Sequence, residues 1–122
     1  MIGIGLDLCQ VERIENAIAS TGFLERYYTP EEQEYIKERG KMGPQSAAAM
    51  FAAKEAFLKA IGSGIDGQIH LSEIGVIHDP LGAPRYQLNG AALKRLQQLG
   101  GKAVHLTLTH ENGMAAAVAI IE

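Results

Sequence analysis

The sequence predicts an α+β protein in which a mainly antiparallel sheet packs against helices. Three observations carry that prediction. Residues 2–8 alternate, with Ile2, Ile4, Leu6 and Leu8 on one side and Gly3, Gly5 and Asp7 on the other, the period of a strand. Residues 47–61 are apolar on almost every face, as a central buried helix is. Two later segment pairs flank strong turn signals, His78 to Pro84 and Glu111-Asn112-Gly113, and hairpins join neighbouring strands antiparallel.

The elements follow in order. After the first strand, Val11, Ile14 and Ile18 recur at helical spacing until Ser20-Thr21-Gly22 interrupts them. Thr29-Pro30-Glu31-Glu32 has the chemistry of a helix start: Thr29 as N-cap, Pro30 in the first turn, Glu32 closing a capping box. Gly40 ends that helix and Gly43-Pro44 reads as a break. Ser46 can then cap the apolar helix, which Gly62-Ser63-Gly64 stops. Residues 69–77 and 85–88 read as a hairpin. Asn89 can cap a short helix over 91–99, and residues 103–109 and 114–121 form the last pair of strands.

The chain has 122 residues, 47% apolar and 20% charged, the balance of one ordinary globular domain over residues 1–122. A net charge of −3 speaks against general nucleic-acid binding. The apolar runs 47–53 and 114–121 are too short to span a bilayer. No basic stretch precedes an apolar core at the N-terminus, so no signal peptide is expected, and a cytoplasmic setting is. With Cys9 alone there is no internal disulfide, and a metal would have to rely on His and carboxylates.

Two carboxylates stand in apolar surroundings, Asp7 in the first strand and Glu55 in the apolar helix. A buried carboxylate needs a partner. Either each has its own, with Glu55 paired to Lys59 at i,i+4 and Asp7 capping the following helix, or the two share a cation. Mg²⁺ is suited to the second case, because it takes a few carboxylates and lets waters and phosphates complete its octahedron. Lys54 and Lys59 lie on the same helix, and Lys59 could neutralise a phosphate. Gly62-Ser63-Gly64 is either a helix stop or a place where a ligand approaches backbone. His110 ends a strand beside a tight turn, with Thr107 and Thr109 expected on its face, and reads equally as a ligand contact or an exposed turn residue. His70 and His78 carry no pattern. The absence of a Gly-x-Ser-x-Gly elbow removes support for acyl-transfer hydrolysis.

Ile4-Gly5-Leu6-Asp7-Leu8 with Glu12-Arg13-Ile14 resembles the N-terminal signature of the holo-acyl-carrier-protein synthases, the small phosphopantetheinyl transferases. So does Phe51-Ala52-Ala53-Lys54-Glu55-Ala56-Phe57-Leu58-Lys59-Ala60 running into Ile61-Gly62-Ser63-Gly64. Asp79 to Pro84 is similar to that family's loop before a hairpin strand, and Leu106-Thr107-Leu108-Thr109-His110 to its late strand and histidine. The pieces occur in the family's order over nearly the whole chain.

The resemblance implies the 4′-phosphopantetheinyl transferase-like fold and transfer of 4′-phosphopantetheine from coenzyme A to a serine of an apo acyl carrier protein. It implies release of 3′,5′-ADP, a Mg²⁺ ion, a role in fatty acid biosynthesis, and a homotrimer with active sites at subunit interfaces. Carried over by residue, Asp7 and Glu55 would hold the metal and Lys59 would meet the phosphates. Gly62, Ser63 and Gly64 would line the coenzyme site. Pro84, Thr109 and His110 would add contacts, with a neighbouring subunit as one source of them. Arg13, with Arg26 further on, would face the carrier protein. The serine proton would go to Glu55 or to a metal-bound water.

Two positions and one segment depart from the family pattern. Met50 stands where many relatives have an arginine that helps bind the nucleotide. The segment facing the carrier mixes Arg13 and Arg26 with Glu12, Glu15 and Glu25, which weakens steering of an acidic partner. Ala83 replaces a frequent lysine.

Overall fold

A computed structural model describes residues 1–62 and 68–122. The chain forms β1 (Gly3–Gln10), α1 (Val11–Ile18), α2 (Phe23–Tyr27), α3 (Pro30–Glu38) and α4 (Gly43–Ile61), then β2 (Ile74–His78), β3 (Pro84–Leu88), α5 (Gly90–Gln98), β4 (Val104–Glu111) and β5 (Met114–Ile121). Short 3-10 turns at Gly40–Met42 and Leu71–Glu73 precede α4 and β2. A three-stranded antiparallel sheet has the order β1-β5-β4, and β2 pairs with β3 in a second antiparallel sheet. The α+β class is therefore as the sequence predicts.

Helix α4 lies across one face of the larger sheet, and the glycines of β1 allow it. A Cβ at Gly3 would be driven into the carbonyl oxygen of Ala60, and one at Gly5 into that of Ala56. The bulk-free side of β1 is therefore the side against the helix, where Ala52, Ala53, Ala56, Ala115, Ala117 and Ala119 keep the layers close. The bulky side faces outward: Ile4, Leu6 and Leu8 are 58%, 60% and 62% exposed.

Several boundaries differ from the sequence expectation. Helix α4 begins at Gly43, not after Ser46, because Pro44 occupies the first turn, where its missing N–H costs nothing. A short α2 forms between the first two expected helices. The strand expected over 69–77 starts only at Ile74, since Leu71–Glu73 wind into a 3-10 turn. Asn89 gives no side-chain cap to α5. Glu73 Oε2 accepts the Ala91 N–H there instead, at 3.1 Å. The capping box at Thr29 and Glu32 is present as expected. The β4–β5 hairpin closes through Asn112 and Gly113 with φ of 52° and 77°, the left-handed pair that such a turn requires.

A buried ion pair ties the helices to the second sheet. Lys54 is fully buried, and its Nζ donates to Glu32 Oε1 at 2.6 Å, to Ile74 O at 2.9 Å and to Leu71 O at 3.2 Å. Glu32 Oε2 accepts the Val76 N–H at 2.8 Å. The charge that looked out of place in an apolar helix is thus fully hydrogen-bonded, and it fixes α3, α4 and β2 together. Burial pushes the Lys54 ammonium down from its ordinary range, and the Glu32 carboxylate pulls it back up.

Candidate active site

Asp7 sits on β1 opposite Ala117 of β5, on the sheet face that α4 covers. Its carboxylate emerges beside the last turns of the helix, where Lys59 Nζ donates to Asp7 Oδ1 at 3.1 Å and to Leu6 O at 2.9 Å. The i,i+4 alternative is therefore not what forms: Lys59 bonds Asp7 rather than Glu55. Nor does Asp7 cap α1, whose N-cap is Gln10.

Glu55, one turn earlier on α4, is half-buried in the same neighbourhood. Burial and then the negative charge of Asp7 push its carboxyl up from the usual range, against the opposing pull of Lys59 and Arg13. A half-buried acid whose ionisation a second acid opposes, with one ammonium beside them, forms a site short of positive charge. Among the described residues no group of three or more His, Cys, Asp or Glu gathers to hold a metal. Asp7 and Glu55 offer hard carboxylate oxygens, a kind of pair that suits Mg²⁺ where waters and phosphate oxygens complete its shell.

Arg13 borders this cluster from α1. Its guanidinium lies 5.7 Å above the Phe51 ring and its Nη2 donates to Cys9 Sγ at 3.6 Å. Arg26 is exposed on α2, 5.9 Å above Tyr27. Gly62 closes α4 with φ of 70°. Ser63 and Gly64 lie outside the described residues.

The remaining candidates lie elsewhere. His110 is on β4, at the opposite edge of the sheet from β1, with β5 between. Its side chain is on the α4 side with Leu106 and Leu108, whereas Thr107 and Thr109 are on the outer face with His105. The shared face expected for His110 and the threonines is corrected by the period of two along the strand. Gln45 Nε2 meets His110 Nδ1 at 2.8 Å. Pro84 opens β3, which packs near β4.

A cavity of about 130 Å³ adjoins His110, walled by Gln45 and Met50 of α4, Tyr35 and Arg39 of the α3 end, and His78 of β2. Sequence reasoning passed over Arg39, Gln45 and Tyr35 and found no pattern at His78. These residues come from three separate elements, and no local spacing joins them.

The profile of the 4′-phosphopantetheinyl transferase superfamily matches residues 3–119. The chain belongs to that family. The holo-[acyl-carrier-protein] synthase of Treponema denticola is 44% identical over 122 residues, covering 100% of this chain and 98% of the relative. That of Neisseria meningitidis superposes with a TM-score of 0.87 at 38% identity, covering 100% of this chain and 98% of its own. The Helicobacter pylori synthase, solved in complex with coenzyme A, superposes with a TM-score of 0.83 at 28% identity over 98% of this chain and 99% of its own. As a member of the transferase family the chain is an enzyme. Among the described residues no helix is long and apolar enough to cross a membrane.

Proposed function

We propose that this chain transfers 4′-phosphopantetheine from coenzyme A to a serine of an apo acyl carrier protein, releasing 3′,5′-ADP, with Mg²⁺ as the metal. One observation carries the reading: a chain of this family brings Asp7, Glu55 and Lys59 together where β1 meets α4. Asp7 and Glu55 would hold the ion, which when bound would draw charge from the diphosphate under attack.

The chain's own residues supply the rest. Lys59 has three N–H donors, of which Leu6 O and Asp7 take two. The third has no partner among the described residues and is open to a phosphate oxygen, where negative charge grows as the bond to 3′,5′-ADP breaks. Glu55 is a stronger base than an isolated carboxylate, which suits it to take the serine proton as that oxygen bonds to phosphorus. Gly62, Ser63 and Gly64 would border the coenzyme, and Arg13 and Arg26 the carrier.

We read the working form as a homotrimer with sites completed between copies. Asp7 and His110 lie on the two edge strands, two strand spacings apart and displaced by two residues along the register, about 12 Å in all, with α4 packed over the face between them. That arrangement supports a site whose Pro84, Thr109 and His110 contacts come from a neighbouring copy. The outward row Ile4, Leu6 and Leu8 is an apolar surface for such a copy to cover. The reading includes one catalytic domain over residues 1–122, a cytoplasmic setting and a carrier of fatty acid biosynthesis.

The test is incubation with coenzyme A, Mg²⁺ and an apo acyl carrier protein, followed by mass spectrometry of the carrier. A gain of one phosphopantetheine is the expected result. Free phosphopantetheine with unmodified carrier would make the protein a hydrolase, and no turnover would remove the catalytic reading.

A further inference from the structure

The basic residues of this chain are not spread evenly. Residues 80–110 hold Arg85, Lys94, Arg95 and Lys102 and not one Asp or Glu, in a chain of fourteen acids and eleven bases. Arg85 pairs with Asp79, but Lys94 and Arg95 of α5 have no ion pair among the described residues. Lys94 is exposed. Arg95 is half-buried, and its Nε lies out of reach of water with no hydrogen-bond partner among the described residues. A guanidinium held by its stem in this way carries a charge that nothing nearby balances. Glu73, the acid that meets α5, has both oxygens engaged by the His70 and Ala91 N–H groups.

The inner face of α5 belongs to the core. Ala92 and Leu96 are buried, and Gly101, just beyond the helix, fits between Leu96 and Ile121. The outer face presents Leu93, Lys94, Gln97 and Gln98, all exposed. Helical spacing sets Leu93 beside Gln97 and Lys94 beside Gln98. A leucine bordered by a cation and two amides, with no acid on that face, matches a protein surface that is anionic around an apolar contact.

Placement names the partner. Arg26, proposed to border the carrier, is on α2, and α2 and α5 both pack against the turn Leu71–Glu73. At about 2 Å per residue that turn is only about 6 Å long, so the two helices are near neighbours. The reacting cluster is also close. Ile121 pairs with Gly3 of β1, and Asp7 stands four residues along that strand, about 13 Å away. A domain of about 100 residues has a radius of gyration of about 13 Å, so one partner can touch α2 and α5 while it presents a group to Asp7 and Glu55.

We propose that α5, through Leu93, Lys94 and Arg95, is a second docking surface for the carrier protein and meets an anionic face of it. The inference rests on the proposed use of a carrier. Two cations beside one leucine act at contact rather than as a long-range field, so the attraction they add is only modestly sensitive to salt.

The test measures binding of a fluorescently labelled apo acyl carrier protein by anisotropy, together with the KM for carrier and for coenzyme A. The double variant Lys94→Glu with Gln97→Glu should bind the carrier about 5- to 10-fold more weakly and raise its KM alike. Its kcat and its KM for coenzyme A should stay where they were. Arg95→Gln should weaken carrier binding about 3-fold, and Gln97→Lys should tighten it by about 2-fold. Unchanged carrier binding in the double variant of a protein that does transfer would overturn the docking surface and leave the transferase reading standing. A KM for coenzyme A that rose in step would overturn it too, since α5 would then serve the nucleotide. Carrier binding that follows these variants without any transfer would keep the surface and remove the catalytic reading. A protein that binds no carrier would overturn both.

Discussion

Lys59 reaches across from α4 to Asp7 of β1, and Glu55 of its own helix is left without that direct bond. The ion pair between helix and strand at the site therefore joins a cation to one acid and leaves the second acid to face the first. A structural role alone would have placed the ammonium between the two, at the spacing the helix already provides. The observed arrangement leaves both carboxylates with oxygens to share and the lysine with a donor to spare.

Asp7→Asn and Glu55→Gln should each abolish phosphopantetheine transfer, by about 10²-fold or more, and Lys59→Gln should slow it on a similar scale. Stability should change by no more than about 1 kcal/mol in Asp7→Asn, since Lys59 is largely exposed and such pairs contribute little. Urea melts and the carrier assay together check this. Full activity in either acid variant would contradict the shared-ion assignment.

The buried pair behaves oppositely. Lys54→Met leaves Glu32 buried with one partner fewer, and Glu32→Gln leaves Lys54 facing only carbonyls and a neutral amide. Each single change should destabilise the fold by about 3–5 kcal/mol, and the double change by less than the sum. Denaturant titration of the two singles and the double closes the cycle. Additive losses would show that the two groups do not act as a unit.

How much of this was legible in the sequence depends on how far apart the interacting residues are. Thr29 with Glu32 and Asn112 with Gly113 were readable because their chemistry is local, a cap three residues long and a turn that demands left-handed backbone. Gly43-Pro44 misled because proline serves equally as a break and as a first helical turn. Lys54 was visible as an anomaly, but its partner Glu32 is 22 positions away. The acids of the site stood out for the same reason, as charges in apolar segments. That Lys59 would choose Asp7 over Glu55 depends on how the helix is set against the strand. Arg39, Tyr35, Gln45 and His78 had no signal at all: ordinary surface residue types acquire meaning only where α3, α4, β2 and β4 meet.

The outer face of the sheet makes a prediction about assembly. Leu6→Asp places a charge among Ile4, Leu8, Thr107 and Val118, on a face left uncovered by the described residues. The side chain touches nothing that α4 packs on, so the fold should survive. Sedimentation should show a trimer becoming a monomer, with transfer lost in parallel because each site is completed by a neighbour. A variant that sediments unchanged would remove this face from the interface.

Carrier binding should depend only modestly on salt. The Arg13 guanidinium is engaged with Phe51 and Cys9, Arg26 leans on Tyr27, and Glu12, Glu15 and Glu25 surround them. Affinity for an acidic carrier, measured from 50 to 300 mM salt (roughly one to two halvings of the Debye length), should fall by less than about tenfold. A steep loss would mean that this surface attracts the carrier mainly by charge.

His78 links the Arg39 cavity to pH. Burial lowers its imidazole below the ordinary 6.5, and the Arg39 charge lowers it further, while Asp79 and Glu32 pull it back up. As pH falls below 6.5 the unfolded chain therefore takes up a proton before the folded one does. The ring's contribution to stability is intact above 6.5, declines as pH drops toward the folded midpoint, and is fully lost below it. Histidine titration by NMR should find the His78 midpoint below that of the free side chain. Arg39→Gln should raise it by removing the facing cation, and Asp79→Asn should lower it by removing the acid. If Arg39→Gln left the midpoint where it was, the guanidinium would not face the His78 ring closely enough to act on its charge.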